Sequence, residues 1–340
     1  MKFFSLTKEI AIDLGTANTI IIHNDKIVID EPSIVALDRR TDKLIAVGKE
    51  AQQMQGKEHE GIRTVRPLRK GVIADFQAAE LMIRGLVKKA NAKSKWFSPS
   101  LRMVVGIPSG STEVEIRAVR DSAEHANGQD VYMIFEPMAA ALGIGLDVQA
   151  AEGNMIVDIG GGSTEIAVIS LGGIVSNNSI RIAGDDLTAD IQEYMYRQHN
   201  VRVGERMAER IKIAVGAALT DLGDDAPEDY IVCGPNRITA LPMEVPVNYQ
   251  EIAHCLEKSI AKIETAILSA LENTPPELYA DIVKNGIYLA GGGALLRGLD
   301  KRLTDKINIP FHIAEDPLLS VAKGTGVALK NVDRFSFLMR

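Results

Sequence analysis

The stretch "IAIDLGTANTIII", residues 10–22, decides the fold, because two apolar runs flank a short centre of small and polar residues. The flanking runs are strand-like, and the centre from Asp13 to Asn18 has the composition of a tight turn. We therefore predict a β-hairpin whose tip exposes backbone N–H groups beside a carboxylate. Such amides can hold an anion while the carboxylate holds its metal ion, which makes the hairpin a candidate phosphate site. An ordinary structural hairpin is the alternative for this copy taken alone.

The same pattern occurs a second time in "MIVDIGGGSTEIAVI", residues 155–169. Superposing Asp158 on Asp13 gives three further pairs, namely Gly160 with Gly15, Ser163 with Asn18 and Thr164 with Thr19. Each copy continues into another apolar run and a second turn signal, "NDKIVI" in the first and "LGGIV" in the second. This long-period duplication predicts two related halves that face each other, each with one phosphate-binding turn.

The composition is that of a globular protein without nucleic acid as a partner. The 340 residues are 46% hydrophobic and 24% charged, and the length suggests two domains of roughly 150 residues or more. A net charge of −7 with no long basic cluster argues against nucleic-acid binding. Cys233 and Cys255 lack metal-ligand spacing, which fits a reducing compartment and excludes structural zinc. No apolar run reaches the ~18 residues that span a bilayer, so we expect a cytosolic protein.

Strand and helix signals alternate throughout the chain, which indicates an α/β protein. We predict a first half over residues 1–140 and a second half over residues 141–340, with a cleft between them. A less hydrophobic, charged segment at about residues 34–69 predicts a small subdomain inserted in the first half. The segment at about residues 221–248 predicts another in the second half.

Two common nucleotide motifs are absent from the sequence. The Gly48-Lys49 and Gly56-Lys57 pairs lack the hydroxyl residue that follows in a Walker-type loop, and no strand is followed by G-x-G-x-x-G. A Walker-type ATPase and a dinucleotide oxidoreductase are thereby excluded on motif grounds. The duplicated hairpin and "LAGGGALL" remain as the informative motifs.

The stretches "IDLGTANT", "VDIGGGSTE" and "GGGALLRGLD" resemble the two phosphate motifs and the adenosine motif of the actin, sugar-kinase and heat-shock ATPase superfamily. Within it the chain is most similar to the bacterial actins, since "EPSIVA", "RPLRKGVIADF" and "EPMAAALGIGL" also match in order, and the likeness runs from about residue 10 to residue 329. The resemblance implies an actin-like ATPase fold, in which each half has a mixed sheet flanked by helices. It also implies that ATP and Mg²⁺ bind in the cleft.

The resemblance assigns the phosphate and metal residues. The phosphate set comprises Asp13, Gly15, Thr16, Ala17 and Asn18 in the first turn, and Asp158, Gly160, Gly161 and Gly162 in the second. Asp13 and Asp158 are also expected to position Mg²⁺ through water, because this ion loses its hydration shell reluctantly.

The predicted catalytic group consists of Glu136, Ser163 and Thr164. Glu136, at a strand end before Pro137, resembles the residue that orients the attacking water. Ser163 stands where the family usually has threonine; it keeps the hydrogen bond but lacks the methyl group, which affects the rate rather than the chemistry. A helix-start carboxylate that complements the helix dipole is the alternative for Glu136.

Two segments are assigned to adenosine. The resemblance places the helix of "GERMAERIK" beside adenine and ribose, while a solvent-facing surface with i,i+3 and i,i+4 side-chain pairs is the alternative. A triple glycine after a strand lets the backbone approach the sugar closely. The predicted residues are Glu205, Ala208, Glu209, Ile211, Lys212, Gly291, Gly292, Gly293, Ala294 and Leu295.

Two classes of function share this fold. The resemblance implies a cytoskeletal protein whose ATP hydrolysis accompanies polymerisation into head-to-tail protofilaments that pair antiparallel, and a role in cell shape through the cell-wall elongation machinery. A phosphotransferase or a chaperone-like ATPase is the alternative. We find no further strand-end Asp to act as the base of a sugar kinase, and we expect no peptide-binding domain in the few residues after the last motif.

One exposed apolar residue is predicted on the helix that follows Gly110. Thr112 and Glu115 are spaced as a capping box, and the inner face is formed at helical spacing by Ile116, Val119, Ala123 and Ala126. Val114 is left on the outer side, and the resemblance places this helix at the contact between antiparallel protofilaments. A single exposed apolar residue without a role is the alternative.

Two apolar and cationic stretches predict attachment to a lipid surface. Trp96 and Phe97 lie in the lysine-rich "AKSKWFSPS", a composition that suits the headgroup boundary. The N-terminal "MKFFSLTK" adds Phe3, Phe4 and Leu6, which could form a short interfacial turn. We therefore expect a cytoplasmic protein held peripherally on the inner face of the cell membrane. The alternative is that the aromatic residues pack back on the domain.

Overall fold

The computed structural model describes residues 7–91 and 100–340. The strands of this part of the chain are β1 (Thr7–Leu14), β2 (Asn18–His23), β3 (Lys26–Pro32), β4 (Val35–Asp38), β5 (Leu44–Val47), β6 (Ile62–Val65), β7 (Leu68–Arg69), β8 (Val72–Ile73), β9 (Ser100–Ile107), β10 (Gly128–Phe135), β11 (Asn154–Ile159), β12 (Thr164–Ser170), β13 (Gly173–Ile180), β14 (Tyr230–Pro235), β15 (Pro242–Val247), β16 (Ile287–Ala290) and β17 (Phe311–Ile313). The α-helices are α1 (Lys49–Met54), α2 (Phe76–Ala90), α3 (Glu113–His125), α4 (Glu136–Ile144), α5 (Gly184–Gln198), α6 (Glu205–Val215), α7 (Tyr249–Glu272), α8 (Pro276–Asn285), α9 (Leu299–Ile307) and α10 (Ser320–Lys330).

The first large sheet has five strands in the order β10-β9-β1-β2-β3. β1 and β2 form the predicted antiparallel hairpin, and β2 turns into β3 through Asn24 and Asp25, both in the left-handed conformation. β9 and β10 lie parallel to β1, with α3 as the crossover between them. The sheet is therefore mixed, and its first hairpin lies at the centre.

The second large sheet repeats this topology in the order β13-β12-β11-β16-β17. β11 and β12 form an antiparallel hairpin with Asp158 opposite Glu165, and β13 continues the antiparallel run. β16 and β17 extend the other edge in parallel. The prediction of an α/β protein with two related mixed sheets is confirmed.

Smaller sheets lie within the segments that the sequence marks as insertions. β4, β5 and β6 form a three-stranded sheet beside α1, between residues 34 and 69. β14 and β15 form a two-stranded sheet between residues 221 and 248. We keep these two ranges as the proposed inserted subdomains.

The apolar core is divided into layers by the two large sheets. α2 and α3 cover the outer face of the first sheet, and α5, α6 and α7 cover that of the second. A third layer between the sheets is filled mainly by α4 and α10. α10 packs against β1, β2 and β9 although it follows the second sheet in the chain. The proposed boundary at residue 140 thus separates the two sheets, whereas α10 packs with the first.

The contact between α4 and α10 is a close approach of two backbones. A Cβ added to Gly143 would lie 1.9 Å from the carbonyl oxygen of Ser320, and one added to Gly324 would lie 1.7 Å from that of Ala139. Only glycine fits at such distances, so these two residues fix how closely the helices pack.

Candidate functional site

The tips of the two duplicated hairpins lie in a cleft of about 1140 Å³ between the halves. Each tip follows from its sequence, because small residues between two apolar runs allow the chain to reverse tightly. All of the predicted phosphate residues line the cleft: Asp13, Gly15, Thr16, Ala17, Asn18, Asp158, Gly160, Gly161 and Gly162. The structure therefore brings the two sequence copies together at one place.

The two tips touch each other. A Cβ added to Gly161 would lie 2.9 Å from the Cβ of Ala17, and one added to Gly162 would lie 2.6 Å from Oγ1 of Thr16. The amide of Gly71, between β7 and β8, donates to the same Thr16 hydroxyl at 3.3 Å. The cleft is consequently narrow at this end, and glycine is needed where the tips meet.

Three carboxyl groups face this end of the cleft: Asp13, Glu136 and Asp158. Burial and the nearby Asp158 raise the pKa of Asp13 to about 7, and burial and Glu165 raise the pKa of Asp158 to about 7. Burial, followed by the charges of Asp13, Glu165 and Asp158, raises the pKa of Glu136 well above its usual value. Because ionised acids crowd each other here, the site favours a cation.

Glu165 is a fourth carboxyl group, placed opposite Asp158 in the second hairpin. It is buried and accepts hydrogen bonds from the amide of Ser109 at 3.2 Å and from Oγ of Ser179 at 2.7 Å. Its oxygens therefore have hydrogen-bond partners within the protein, and Glu165 does not line the cleft.

Asp158 is the carboxylate best placed to meet a metal ion. Its Oδ1 is buried and has no hydrogen-bond partner among the residues described. A Cβ added to Gly291, whose φ is +77°, would lie 2.4 Å from that oxygen, so the glycine keeps the space beside it open. Mg²⁺ is usually bound by one or two carboxylates and keeps several waters, and Asp13 with Asp158 is a donor set that fits it.

The predicted catalytic residues do not all reach the cleft. Glu136 is the first residue of α4 and lines the cleft, which is compatible with both of its predicted roles. Ser163 also lines it. Thr164 is fully buried in β12, where its hydroxyl donates to the carbonyl oxygen of Ile182 at 2.7 Å, and it is not part of the cleft wall.

The residues of α6 that were predicted to bind adenosine lie on two different faces of the helix. Glu205, Glu209 and Lys212 of α6 line the cleft, and Nζ of Lys212 lies 2.7 Å from Oε2 of Glu209. Ala208 and Ile211 are on the opposite face of α6 and are fully buried in the core of the second half. Their side chains are therefore not available to a ligand.

The triple glycine after β16 borders the same cleft. Gly291, Gly292, Gly293 and Leu295 line it, whereas Ala294 is buried in the core beneath. The structure thus brings four of these five predicted residues to the site.

Sequence reasoning missed several charged residues that line the cleft, among them Arg66 and Asp185. The guanidinium of Arg66 lies 2.8 Å from Oδ2 of Asp185. Arg66 is the first residue of "RPLRKGVIADF", one of the motifs that carry the family resemblance. The motif itself does not indicate which acidic residues the guanidinium contacts.

Helix α3 has the predicted amphipathic form. Its capping box joins Thr112 and Glu115, while Val119 and Ala123 are buried and Ile116 packs partly buried against them. Val114 is 71% exposed. The predicted outer position is thus observed, and the pairing role of Val114 stays a prediction.

The five residues predicted to touch membrane lie outside the described residues: Phe3, Phe4, Leu6, Trp96 and Phe97. Across residues 7–91 and 100–340, no helix combines the length and apolar character needed to cross a membrane.

Comparison with known proteins gives concordant matches over nearly the whole chain. The family profile described as MreB/Mbl protein matches residues 7–336. The chain is 43% identical over 328 residues to the cell shape-determining protein Mbl of Bacillus subtilis (strain 168), covering 96% of this chain and 97% of that protein. It is 44% identical over 334 residues to the cell shape-determining protein MreB of Escherichia coli (strain K12), covering 96% and 94%.

Solved structures agree with these sequence matches. MreB5 of Spiroplasma citri bound to AMPPNP superposes with a TM-score of 0.89 at 37% identity, covering 96% of this chain and 97% of that one. The same protein bound to ADP also gives a TM-score of 0.89. The MamK double helical filament matches at a TM-score of 0.78 and 20% identity, with 96% and 99% coverage, which supports the fold alone.

The two mixed sheets and the cleft between their duplicated hairpins define an actin-like protein. The expected fold is thereby confirmed. More particularly, the chain belongs to the MreB/Mbl family, whose relatives named above are cell shape-determining proteins.

Proposed function

We propose that this protein binds and hydrolyses ATP with Mg²⁺ in the cleft and polymerises into membrane-associated paired filaments that determine cell shape by organising cell-wall synthesis. The observation that carries the proposal is the contact of two phosphate-type hairpin tips beside two aspartates, the buried Asp158 and the half-buried Asp13. The binding of AMPPNP and of ADP by MreB5, at 37% and 35% identity, supports the choice of an adenine nucleotide.

We assign different parts of the nucleotide and the metal ion to different residues along the cleft. The two tips would hold the phosphates through their backbone amides, and Asp13 and Asp158 would hold Mg²⁺ through water. The ion neutralises phosphate charge, which is its usual contribution to phosphoryl transfer. Glu205, Glu209 and Lys212 border the ribose and adenine, and the glycines at 291–293 allow the backbone to lie close to them.

Glu136 orients the attacking water in this proposal. It stands at the start of α4, near the aspartates, so a water between it and the phosphate has a hydrogen-bond acceptor at hand. Ser163 supplies a hydroxyl from the second tip. Thr164 is left out of the proposed group, because its hydroxyl is committed to Ile182.

The proposed assembly is a head-to-tail protofilament that pairs antiparallel with a second one. Membership of the MreB/Mbl family and the exposure of Val114 support this step. We place the filament in the cytoplasm against the inner face of the membrane, where the cell-wall elongation machinery is its partner.

The test uses the purified full chain with ATP and Mg²⁺. We expect a fluorescent ATP analogue to bind, phosphate to be released slowly, and the protein to sediment as filaments visible by negative stain. EDTA is the control, because loss of Mg²⁺ should abolish phosphate release. Hydrolysis without assembly at raised protein concentration, or phosphate transfer to an added sugar, would favour the phosphotransferase or chaperone-like alternative.

A further inference from the structure

Arg66 connects the first half of the molecule to the second across the mouth of the cleft. It follows β6 in the first insertion, and its Nη2 lies 2.8 and 3.1 Å from the two carboxylate oxygens of Asp185 at the start of α5. Its Nη1 lies 2.5 Å from Oε1 of Glu205 at the start of α6. The guanidinium of Arg66 therefore contacts the first turns of both α5 and α6 in the opposite half.

This bridge is reinforced on both sides. Nη2 of Arg66 also donates to the carbonyl oxygen of Thr16, in the first phosphate tip, at 3.4 Å. Nε2 of Gln55 donates to Oε2 of Glu205 at 3.3 Å, and Nζ of Lys70 lies 3.5 Å from Oδ1 of Asp186. These contacts form a line from one half to the other along the edge of the cleft.

The surroundings favour a strong interaction at Arg66. Its side chain is 19% exposed, so water screens the ion pairs less than at an open surface. Arginine is suited to the position, because its planar fork can satisfy two carboxylates and a carbonyl at once. Glu205 also borders the proposed ribose site, so the bridge fixes a wall of the cleft.

We propose that Arg66 is a positioning residue that keeps the cleft closed over bound nucleotide and thereby sets the rate at which nucleotide escapes. This inference rests on the proposed binding of ATP. Opening the mouth requires Arg66 to leave Asp185 and Glu205, which delays release without any contact between Arg66 and the reacting phosphate.

The test compares Arg66→Ala with Arg63→Ala. Arg63 lies three residues earlier, in β6, and pairs with Asp42 of the same insertion at 2.9 Å, so it controls for loss of an arginine from this segment. We expect a fluorescent ATP analogue to dissociate about tenfold faster from Arg66→Ala, the scale for a hydrogen bond to a charged group. Release from Arg63→Ala should match that from the wild type.

Two further variants separate positioning from a general loss of structure. Arg66→Lys should give an intermediate rate, because an ammonium cannot fork between both acids. Asp185→Ala should accelerate release by itself and add little in Arg66→Ala, since the two changes break the same contact. Hydrogen exchange at the amides of residues 184–186 should rise in Arg66→Ala and not in Arg63→Ala.

The outcomes are distinguishable. Nucleotide binding by the wild type with an unchanged release rate in Arg66→Ala overturns this inference and leaves the proposed function standing. No nucleotide binding by the wild type overturns both. Additive effects of Asp185→Ala and Arg66→Ala would also contradict a shared bridge.

Discussion

Three acidic residues share one end of the cleft, and we propose a different task for each position. Asp13 and Asp158 are each the last but one residue of the first strand of their hairpin, and the charge of Asp158 is near enough to raise the pKa of Asp13. Glu136 comes from the start of a helix between the sheets. In our proposal, the aspartates would hold the cation and the glutamate would act on water.

At this scale we predict that Glu136→Gln slows ATP hydrolysis by about 10²-fold, because an amide cannot orient and accept a proton from water as a carboxylate does. Binding of ATP should persist, since the phosphate tips are unchanged. Phosphate release and binding of a fluorescent ATP analogue measure the two effects. Glu124→Gln, an exposed change on α3, is the control, and an unchanged rate in Glu136→Gln would refute the assignment.

The raised pKa values of Asp13 and Asp158 predict a dependence of stability on pH. Both are about 7 in the folded protein, against a usual value of 3.8, so the folded state binds more protons than the unfolded state between these values. The stability that these two groups contribute should therefore be fully present below about pH 4 and be lost as pH rises through about 7. In EDTA and without nucleotide, we expect the melting temperature to fall from about pH 5 to about pH 8.

Two changes check this interpretation. Asp13→Asn with Asp158→Asn should flatten the fall, because the amides do not ionise. Added Mg²⁺ should raise the melting temperature of the wild type more at the higher pH. A pH profile that the double variant leaves unaltered would show that other groups cause the change.

Among single residues, the sequence predicted those whose position depends on local turn chemistry. The two tips and both aspartates follow from a short motif, and all of them line the cleft. Ala208 and Ile211 were assigned from the same stretch as Glu205, yet they lie on the buried face of α6. The helical period separates the two sets, since residues 205, 209 and 212 share one face and 208, 211 and 215 share another. Arg66 was missed because its acidic partners, Asp185 and Glu205, lie 119 and 139 residues away in the sequence.

At the scale of elements, the α4–α10 contact predicts a sharp difference between two glycines of one helix. Gly324→Ala should lower the free energy of unfolding by about 2 to 3 kcal/mol, because the new methyl group meets the Ala139 carbonyl and the helices must separate. Gly326→Ala is the matched control. Its Cβ would meet only Ile22, at 3.7 Å, and alanine favours the helix. Chemical denaturation measures both, and equal stability of the two variants would contradict the packing.

A second prediction at this scale concerns α3. In an antiparallel pair related by a two-fold axis, a residue near the axis meets its own copy. Val114→Asp should therefore place like charges together and leave single protofilaments, while hydrolysis continues. Negative-stain microscopy with ATP distinguishes single from double filaments, with Val114→Ala as the control. Normal double filaments from Val114→Asp would remove Val114 from the contact.

At the scale of the whole molecule, we predict that membrane binding depends on polymerisation. Each protomer offers only a few apolar residues, but a filament presents many copies to one surface and gains avidity. Wild-type protein should sediment with anionic vesicles in ATP. A variant that combines Trp96→Ser, Phe97→Ser and deletion of residues 1–6 should stay in the supernatant while still forming filaments.

The control for this experiment is Phe76→Ser, which removes a half-exposed aromatic residue at the start of α2. It should sediment like the wild type. If the combined variant also does so, these two stretches do not form the anchor.

The position of α10 has a consequence for how the chain folds during its synthesis on the ribosome. Strands β1, β2 and β9 are synthesised early, yet the helix that covers their inner face is made of residues 320–330. The amino-terminal half of a nascent chain usually folds first, but here α4 is the only one of the two helices of its inner layer that is made early, and α10 is missing until translation is nearly finished. The first half therefore reaches its final packing only when α10 is in place, and a stalled or shortened chain would expose the apolar surface of β1, β2 and β9 that α10 covers to chaperones and proteases.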